Sequence, residues 1–365
     1  MILKHLNILN YKNIAEAQLD FSPKINCFIG NNGEGKTNIL DAVYFLSFTK
    51  SATNTIDSMN VKHGESAMML QGIYDMDGVD ETISCGLKVG QKKIFRRGGK
   101  AYKRMVDHIG LLPLIMVSPS DSCLVIGGSE ERRNFMDAAI AQYNPSHLHN
   151  LSIYNRALQQ RNVLLRGAEE QMPSIEILQT YEEIMATSGE ALFKERTRFI
   201  EEFTPVFQDY YSRFSGGSEE VMLTYVSHCQ RGPLLDVIQC DRNKDLAVGY
   251  SLHGVHRDDL NLLLGGYPLR REGSQGQSKT FLLSLKFAEY EFLCRQNSHS
   301  KPILLLDDIF DKLDAHRVEN IVALVAQPHF GQIFITDTDR QHLAGILQAS
   351  GGEHRIFTVC SGVID

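Results

Sequence analysis

The sequence lacks the features that mark secreted, membrane-spanning or metal-stapled proteins. Its 365 residues contain no apolar run long enough to span a bilayer, and the first residues lack the charged start and cleavage site of a signal peptide. The seven cysteines form no C-x-x-C pair and have no histidine at zinc spacing. We therefore expect a cytoplasmic protein with no membrane partner and with reduced thiols.

Excess positive charge is also absent. The formal net charge is −7, so the surface as a whole does not attract nucleic acid, and any DNA contact must come from a local patch. We find no internal repeat and no low-complexity tract. The length allows two domains, or one domain that carries an insertion.

The strongest motif lies at residues 30–37, whose sequence GNNGEGKT fits the pattern G-x-x-x-x-G-K-[ST] without a mismatch. A strand-length apolar stretch at 25–29 precedes it, and residues 38–46 have the character of a helix. Glycines let the backbone curl with its N–H groups inward, and a helix start is positive, so the motif predicts a polyphosphate site. The predicted nucleotide-contacting residues of this loop are Gly30, Asn31, Asn32, Gly33, Glu34, Gly35, Lys36, Thr37 and Asn38.

A second candidate region begins at residue 302, where an apolar run ends in Asp307 and Asp308. Such a run is typical of a buried parallel strand, and ligands bind at the carboxyl ends of these strands. We expect one carboxylate to hold Mg²⁺ and the other to orient the attacking water. The apolar residues 333–336 predict another strand, which brings Thr336 or Asp337 to the same edge.

Residues 271–278 contain serine, glycine and polar amides before a helical stretch at 279–289. This composition predicts either a second anion site at a helix start or an ordinary capped helix.

Helical periodicity at 148–165 and 178–199 predicts two amphipathic helices packed as an antiparallel hairpin. We therefore predict a mostly helical arm at 120–245, inserted between two parts of a head at 1–119 and 246–365. Within the head, residues 2–9 are expected to form an edge strand that pairs with 17–21. Strands are also expected within 67–88, with their turn at 75–78, and a hairpin is expected at 261–269.

Basic residues without acidic neighbours follow at 88–104 and predict a basic hairpin. Either it is a solvated charged ribbon, or it contacts the DNA phosphate backbone. The candidate DNA-binding residues are Lys92, Lys93, Arg96, Arg97 and Lys100.

The order of these elements resembles the ATP-binding-cassette (ABC) heads of the SMC and Rad50 class, and more narrowly the RecF family of recombination-mediator ATPases. The likeness covers essentially the whole chain. The resemblance includes the stretch that follows Asp307 and Asp308, with Asp311, Lys312, Leu313 and Asp314. The phosphate loop and the strand that ends in Asp307 and Asp308 are shared by many ATPases. The stretches HRDDL at 256–260 and GSQGQ at 273–277 are more specific to the family.

The resemblance implies an α/β fold, an ABC-type P-loop ATPase head with ATP and Mg²⁺ as cofactors. Lys36, Asp307 and Asp308 would act in catalysis, and Thr37 and Asp307 would hold the metal. Lys12 and Asn13 match a polar turn that approaches the nucleotide, and Ser274 and Gln277 match a signature that contacts ATP held by the other subunit. Asp308 stands where related heads carry glutamate, which implies slow hydrolysis.

The same resemblance implies an ATP-dependent homodimer on duplex or gapped DNA, with RecR and RecO as partners in loading the RecA recombinase. Departures from the family pattern are Ser278 after the signature, and the lack of a histidine at Thr336–Asp337. Alternative hypotheses are the ATPase of an overcoming-lysogenisation-type nuclease system, a transporter ATPase, and a structural protein with an inactive site. No acid-rich nuclease domain follows residue 340.

Overall fold

A computed structural model describes residues 1–169, 171–217, 219–297, 300–309, 321, 324–325, 327–338 and 353–365. The chain forms two compact units, one made of residues 1–121 and 289–365 and the other of residues 122–288. Asp311, Lys312, Leu313 and Asp314, which contributed to the family resemblance, lie outside the described residues. No helix in the described ranges is both long enough and apolar enough to cross a membrane.

Secondary structure in the described ranges begins with a strand. The strands are β1 (Ile2–Tyr11), β2 (Ile14–Asp20), β3 (Ile25–Ile29), β4 (Ala67–Met76), β5 (Val79–Lys88), β6 (Ile94–Arg97), β7 (Lys100–Ala101), β8 (Leu114–Val117), β9 (Val221–Val226), β10 (Asp259–Leu264), β11 (Tyr267–Pro268), β12 (Ile303–Asp307), β13 (Ile333–Asp337), β14 (His354–Cys360) and β15 (Val363–Ile364). The helices are α1 (Lys36–Phe48), α2 (Cys123–Ile126), α3 (Ser129–Ala141), α4 (Pro145–Arg166), α5 (Ile175–Ser215), α6 (Leu234–Cys240), α7 (Arg242–Val248), α8 (Leu269–Glu272) and α9 (Gln275–Gln296).

The first unit contains two sheets that share α1 between them. One sheet is antiparallel, with the order β2-β1-β4-β5-β6-β7, and the other has the order β15-β14-β3-β13-β12-β8 with a parallel core. Every residue of β3, β8, β12 and β13 is buried, which explains their continuous apolar sequences. Helix α1 contacts both sheets and buries most of its residues. The mixed α/β architecture that we expected is confirmed.

One expectation about this unit is wrong. Residues 2–9 do not form an edge strand, because β1 lies between β2 and β4 and pairs with both. Its alternating polar residues face solvent on one side of a sheet rather than at its edge. The predicted turn at 75–78 and the basic hairpin after residue 88 are both present, as β4–β5 and β6–β7.

The second unit is built around the long helix α5, which packs on α4. Buried aromatic residues recur every three or four positions along the C-terminal half of α5, and they contact the part of α9 that belongs to this unit. Phe207 lies 4.7 Å from Phe281 between ring centroids, and Phe214 lies 5.6 Å from Phe287. A small antiparallel sheet, β11-β10-β9, completes the unit.

The second unit extends further along the chain than we expected. We placed the return to the head at residue 246, whereas the unit runs to residue 288. The physical reason is that β10 pairs along its whole length with β9, a strand that the sequence analysis did not predict. The hairpin expected at 261–269 is therefore part of the sheet of this second unit.

Buried charges also hold the second unit together. Arg161 is fully buried and donates to Glu182 at 2.9 Å and to Asp245 at 2.7 Å. Arg196 donates to Asp137 at 2.8 Å and to Asp258 at 2.9 Å.

The pKa of Asp137 shows the effect of such an ion pair on a buried carboxylate. Burial alone would raise the pKa of Asp137, but Arg196 and the hydrogen bond from His147 hold it down at about 2. Asp137 is therefore charged and depends on its partner Arg196.

Candidate functional site

The phosphate loop lies between β3 and α1, as predicted. Gly33 and Gly35 have φ angles of 85° and 112°, which favour glycine. At Gly30 the reason for glycine is different, because an added Cβ would lie 2.3 Å from the carbonyl oxygen of Val359. The loop is thus fixed both by its own backbone conformation and by the close approach of β14.

Lys36 is only 5% exposed, and its side chain folds back into the loop. Its Nζ donates to the carbonyl oxygens of Gly30 at 2.7 Å and Asn31 at 3.0 Å. The ammonium therefore lies inside the curl that the sequence predicts for phosphates.

Thr37 and Asp307, which are 270 positions apart in the chain, are in direct contact. The hydroxyl of Thr37 lies 2.9 Å from Oδ1 and 3.0 Å from Oδ2 of Asp307. Thr336, at the end of the neighbouring strand β13, donates to Oδ1 of Asp307 at 2.7 Å. Burial raises the pKa of Asp307, the bonds from Thr336 and Thr37 oppose this shift, and the charge of Asp308 adds to it.

Asp308 follows the end of β12 in a left-handed conformation, with φ of 50°. This conformation is uncommon for a residue other than glycine and is often found at functional sites. The backbone N–H of Asp308 donates to the Thr336 hydroxyl at 2.9 Å. Asp307 and Asp308 are therefore placed one after the other at the strand edge where the phosphate loop begins its helix.

The two residues of the polar turn after β1, Lys12 and Asn13, contact different parts of the first unit. Asn13 contacts the phosphate loop, since it donates to the Glu34 carbonyl oxygen at 3.0 Å and accepts from Asn38 at 2.7 Å. Lys12 instead forms an ion pair with Asp41 on α1 and donates to Thr53 at 2.6 Å.

Asp41 is a residue that the sequence analysis missed. It is fully buried and also accepts from Tyr11 at 2.5 Å and from Ser51 at 2.7 Å. In this arrangement the Lys12 ammonium is held by α1 rather than by the phosphate loop.

Ser274 and Gln277 lie in the second unit, at the start of α9, and bind each other. The Ser274 hydroxyl accepts from the Gln277 N–H at 3.2 Å, while the Gln277 side-chain oxygen accepts from the Ser274 N–H at 2.7 Å. This is a capping box. The amide nitrogen of Gln277 also donates to Glu219 at 2.7 Å.

The HRDDL stretch connects elements within the second unit. Asp258 accepts from Arg196, and Asp259 forms a two-point pair with Arg132 of α3 at 2.7 and 3.0 Å. His256 lies 2.7 Å from the Tyr154 hydroxyl on α4. The contacts of His256, Asp258 and Asp259 are therefore with other residues of the second unit.

The candidate DNA-binding residues lie in the β6–β7 hairpin and, for Lys92 and Lys93, in the segment just before it. Two of these residues form ion pairs. Lys93 pairs with Asp57 at 2.8 Å, and Arg97 pairs with Glu81 at 2.9 Å. Lys92, Arg96 and Lys100 are exposed, and none of them forms an ion pair with a residue in the described ranges. Their charges face solvent.

Comparisons with known proteins agree with this geometry. The family model described as RecF/RecN/SMC N terminal domain matches residues 2–355. The DNA replication and repair protein RecF of Bacteroides fragilis is 55% identical over 366 residues, covering 100% of this chain and 98% of the relative.

Solved structures give the same result. A structure described as the recombination mediator protein RecF with ATP in the RecFOR pathway matches with a TM-score of 0.89 and 28% identity, over 100% of this chain and 97% of that one. An Smc head domain from Pyrococcus furiosus shares the fold, with a TM-score of 0.58 and 16% identity, covering 100% of this chain and 95% of that one. The fold and the phosphate loop are thus those of an ABC-type P-loop ATPase head of the SMC class. Within that class, the chain belongs to the RecF family of DNA replication and repair proteins.

Proposed function

We propose that the first unit binds ATP in the phosphate loop and that Mg²⁺ completes the site. The observation that carries this proposal is the contact of Thr37 with Asp307 beside a loop that already holds the Lys36 ammonium. Lys36 would neutralise the outer phosphates, and the loop N–H groups would bind their oxygens. The solved RecF with ATP supports this assignment.

The residues present fit Mg²⁺. Thr37 and Asp307 offer a hydroxyl and a carboxylate, the hard oxygen donors that this ion prefers, and they already lie within 3.0 Å of each other. Bound there, Mg²⁺ would neutralise charge on the phosphates. Asp308 would orient the attacking water, and we expect slow hydrolysis because aspartate reaches less far than glutamate. We also expect DNA to stimulate this hydrolysis.

We further propose that ATP drives two copies to pair, with Ser274 and Gln277 of one copy completing the site that contains Lys36 of the other. ATP shifts this equilibrium only by binding the dimer more tightly than the monomer. The helix start at Ser274 supports the proposal, since the positive end of α9 suits a phosphate. Hydrolysis would then release the pair.

The dimer would hold duplex or gapped DNA without reading its sequence, in the cytoplasm, where it would assist repair and replication. The exposed cations of the β6–β7 hairpin support a phosphate contact. RecO and RecR are the proposed partners in loading RecA, because the solved RecF is described as part of the RecFOR pathway.

Solution mass with and without ATP tests the switch. The parent should double its mass with ATP and Mg²⁺, and Ser274→Arg should remain a monomer. Ser146→Arg is the matched control, because Ser146 is an exposed serine at the start of another helix, α4. Ser274→Arg also removes a helix cap, so thermal unfolding of each variant is needed to confirm that it is folded. A dimer of Ser274→Arg equal to that of the parent would contradict the assignment.

A further inference from the structure

The last hairpin of the chain contacts the phosphate loop. Its turn, Ser361–Gly362, joins β14 to β15 and has φ angles of 47° and 80°. Two residues with positive φ between paired strands are typical of a type I′ turn, which fixes where the turn N–H groups point. Strand β14 pairs with β3, the strand that leads into the phosphate loop.

Both N–H groups of this turn bind Glu34, the fifth residue of the loop. Ser361 donates its backbone N–H to the Glu34 carboxylate. Gly362 donates its backbone N–H to the Glu34 carbonyl oxygen at 2.9 Å. The side chain and the main chain of one loop residue are therefore held by two consecutive turn residues.

Asn13 holds the same carbonyl from a second direction. Its side-chain nitrogen donates to the Glu34 oxygen at 3.0 Å. Gly362 is buried and packs closely on Asn13, since a Cβ added at Gly362 would lie 2.6 Å from the backbone carbonyl oxygen of Asn13. The carbonyl of Glu34 is thus enclosed by the turn after β1 and by the last turn of the chain.

This arrangement matters because phosphate binding requires the loop N–H groups to converge while its carbonyls point away. An unattached Glu34 carboxylate beside the loop would also repel a polyphosphate. Fixing both the carbonyl and the carboxylate removes these two sources of competition before the nucleotide arrives.

We propose that Glu34 is a positioning residue, and that the Ser361–Gly362 turn is part of the nucleotide site because it holds Glu34 away from the phosphates. The inference rests on the proposed ATP binding and refines our expectation that Glu34 contacts the nucleotide. The apparent affinity of a site falls in proportion to the fraction of molecules that are binding-competent.

Expected magnitudes follow from the bonds that are lost. Glu34→Ala removes the charge-assisted bond from Ser361, and we expect the dissociation constant for nucleotide to rise about tenfold. Glu34→Gln keeps an oxygen that accepts from Ser361, so its constant should stay within about twofold of the parent. Gly362→Ala should reproduce the tenfold loss, because its Cβ would displace the turn from Asn13.

The experiment is titration of each full-length variant with a fluorescent ATP analogue in Mg²⁺, together with its thermal midpoint. Val363→Thr is the matched control, since Val363 is exposed in the same hairpin and keeps its β-branched shape. Its affinity should equal that of the parent. The double variant Glu34→Ala with Gly362→Ala should bind about as weakly as either single variant, because both substitutions disrupt the same contact, that of the Ser361–Gly362 turn with Glu34.

The outcomes separate the inference from the proposed function. A Glu34→Ala variant that binds as tightly as the parent overturns the inference alone. Equal weakening in Glu34→Ala and Glu34→Gln also overturns it, since the carboxylate would then act through its charge rather than through the bond from Ser361. A folded parent that fails to bind the analogue overturns the proposed ATP binding and this inference with it.

Discussion

The exposed cations of the β6–β7 hairpin and of the segment just before it provide a quantitative test of DNA binding. We consider the triple variant Lys92→Ala, Arg96→Ala and Lys100→Ala. Each phosphate contact contributes about 0.9 to the slope of log affinity against log salt. If all three residues contact phosphates, the slope should fall by about 2.7. Between 50 and 200 mM salt, this means that the parent loses about 40-fold more affinity than the variant.

The neighbouring residue Arg97 provides the control. Its guanidinium already pairs with Glu81 at 2.9 Å, so it has less charge to offer a phosphate than Arg96 has. Arg97→Ala should therefore change the slope by less than about half a unit. The triple variant and Arg97→Ala both remove positive charge from the same short segment. A change of slope in the triple variant alone would therefore indicate direct phosphate contacts rather than a general loss of charge.

The assay is fluorescence anisotropy of a labelled duplex with ATP present, at four or more salt concentrations. The slope is more informative than a single affinity, because removing three charges weakens binding at low salt even without direct contact. A slope in the triple variant equal to that of the parent would refute the reasoning and favour the alternative of a solvated ribbon.

Three further predictions concern the metal, the pH and the buried charges. Thr37→Ala should make nucleotide affinity nearly independent of Mg²⁺, measured by titration with and without the ion, because it removes one proposed ligand. Burial lowers the pKa of His256 to about 4, so the contribution of this residue to the free energy of unfolding is fully present above pH about 6.5 and falls by about 3 kcal/mol as the pH drops to about 4. Urea unfolding at several pH values should show a smaller fall for His256→Gln than for the parent. The fall that remains in the variant is expected from His228, since burial also lowers the pKa of that residue to about 4. Arg196→Met should cost about 3–5 kcal/mol in urea, because it leaves Asp137 buried without its cation, whereas the exposed Arg198→Met should cost at most about 1 kcal/mol.

The parts that sequence predicted well are those in which the physical signal is local. The phosphate loop, its strand and its helix are contiguous, and glycine at 33 and 35 is required by the backbone itself. The contact of Thr37 with Asp307 was predicted in general terms from the rule that ligands bind at the carboxyl ends of parallel strands.

The parts that sequence did not predict depend on distant pairings. Strand β9 has the β-branched and aromatic residues of a strand in its sequence, VMLTYV, but only its pairing with β10 shows which sheet it joins. The buried role of Asp41 depends on how the turn after β1 packs on α1. The contact of Ser361 with Glu34 joins residues 327 positions apart. The Ser-Gly pair near the end of the chain is a turn signal, but nothing in a local pattern indicates what the turn will touch.

The candidate nucleotide site is therefore assembled from both ends of the chain around a long insertion. Asn13, the loop at 30–37, Asp307 and Ser361 all belong to the first unit, although residues 122–288 separate the early pieces from the late ones. These contacts form only when segments that are distant in the sequence come together, and closing such long loops lowers the conformational entropy of the chain. The conformation of Glu34 thus depends on a turn that follows the second unit in the chain, because Ser361 and Gly362 both donate to it.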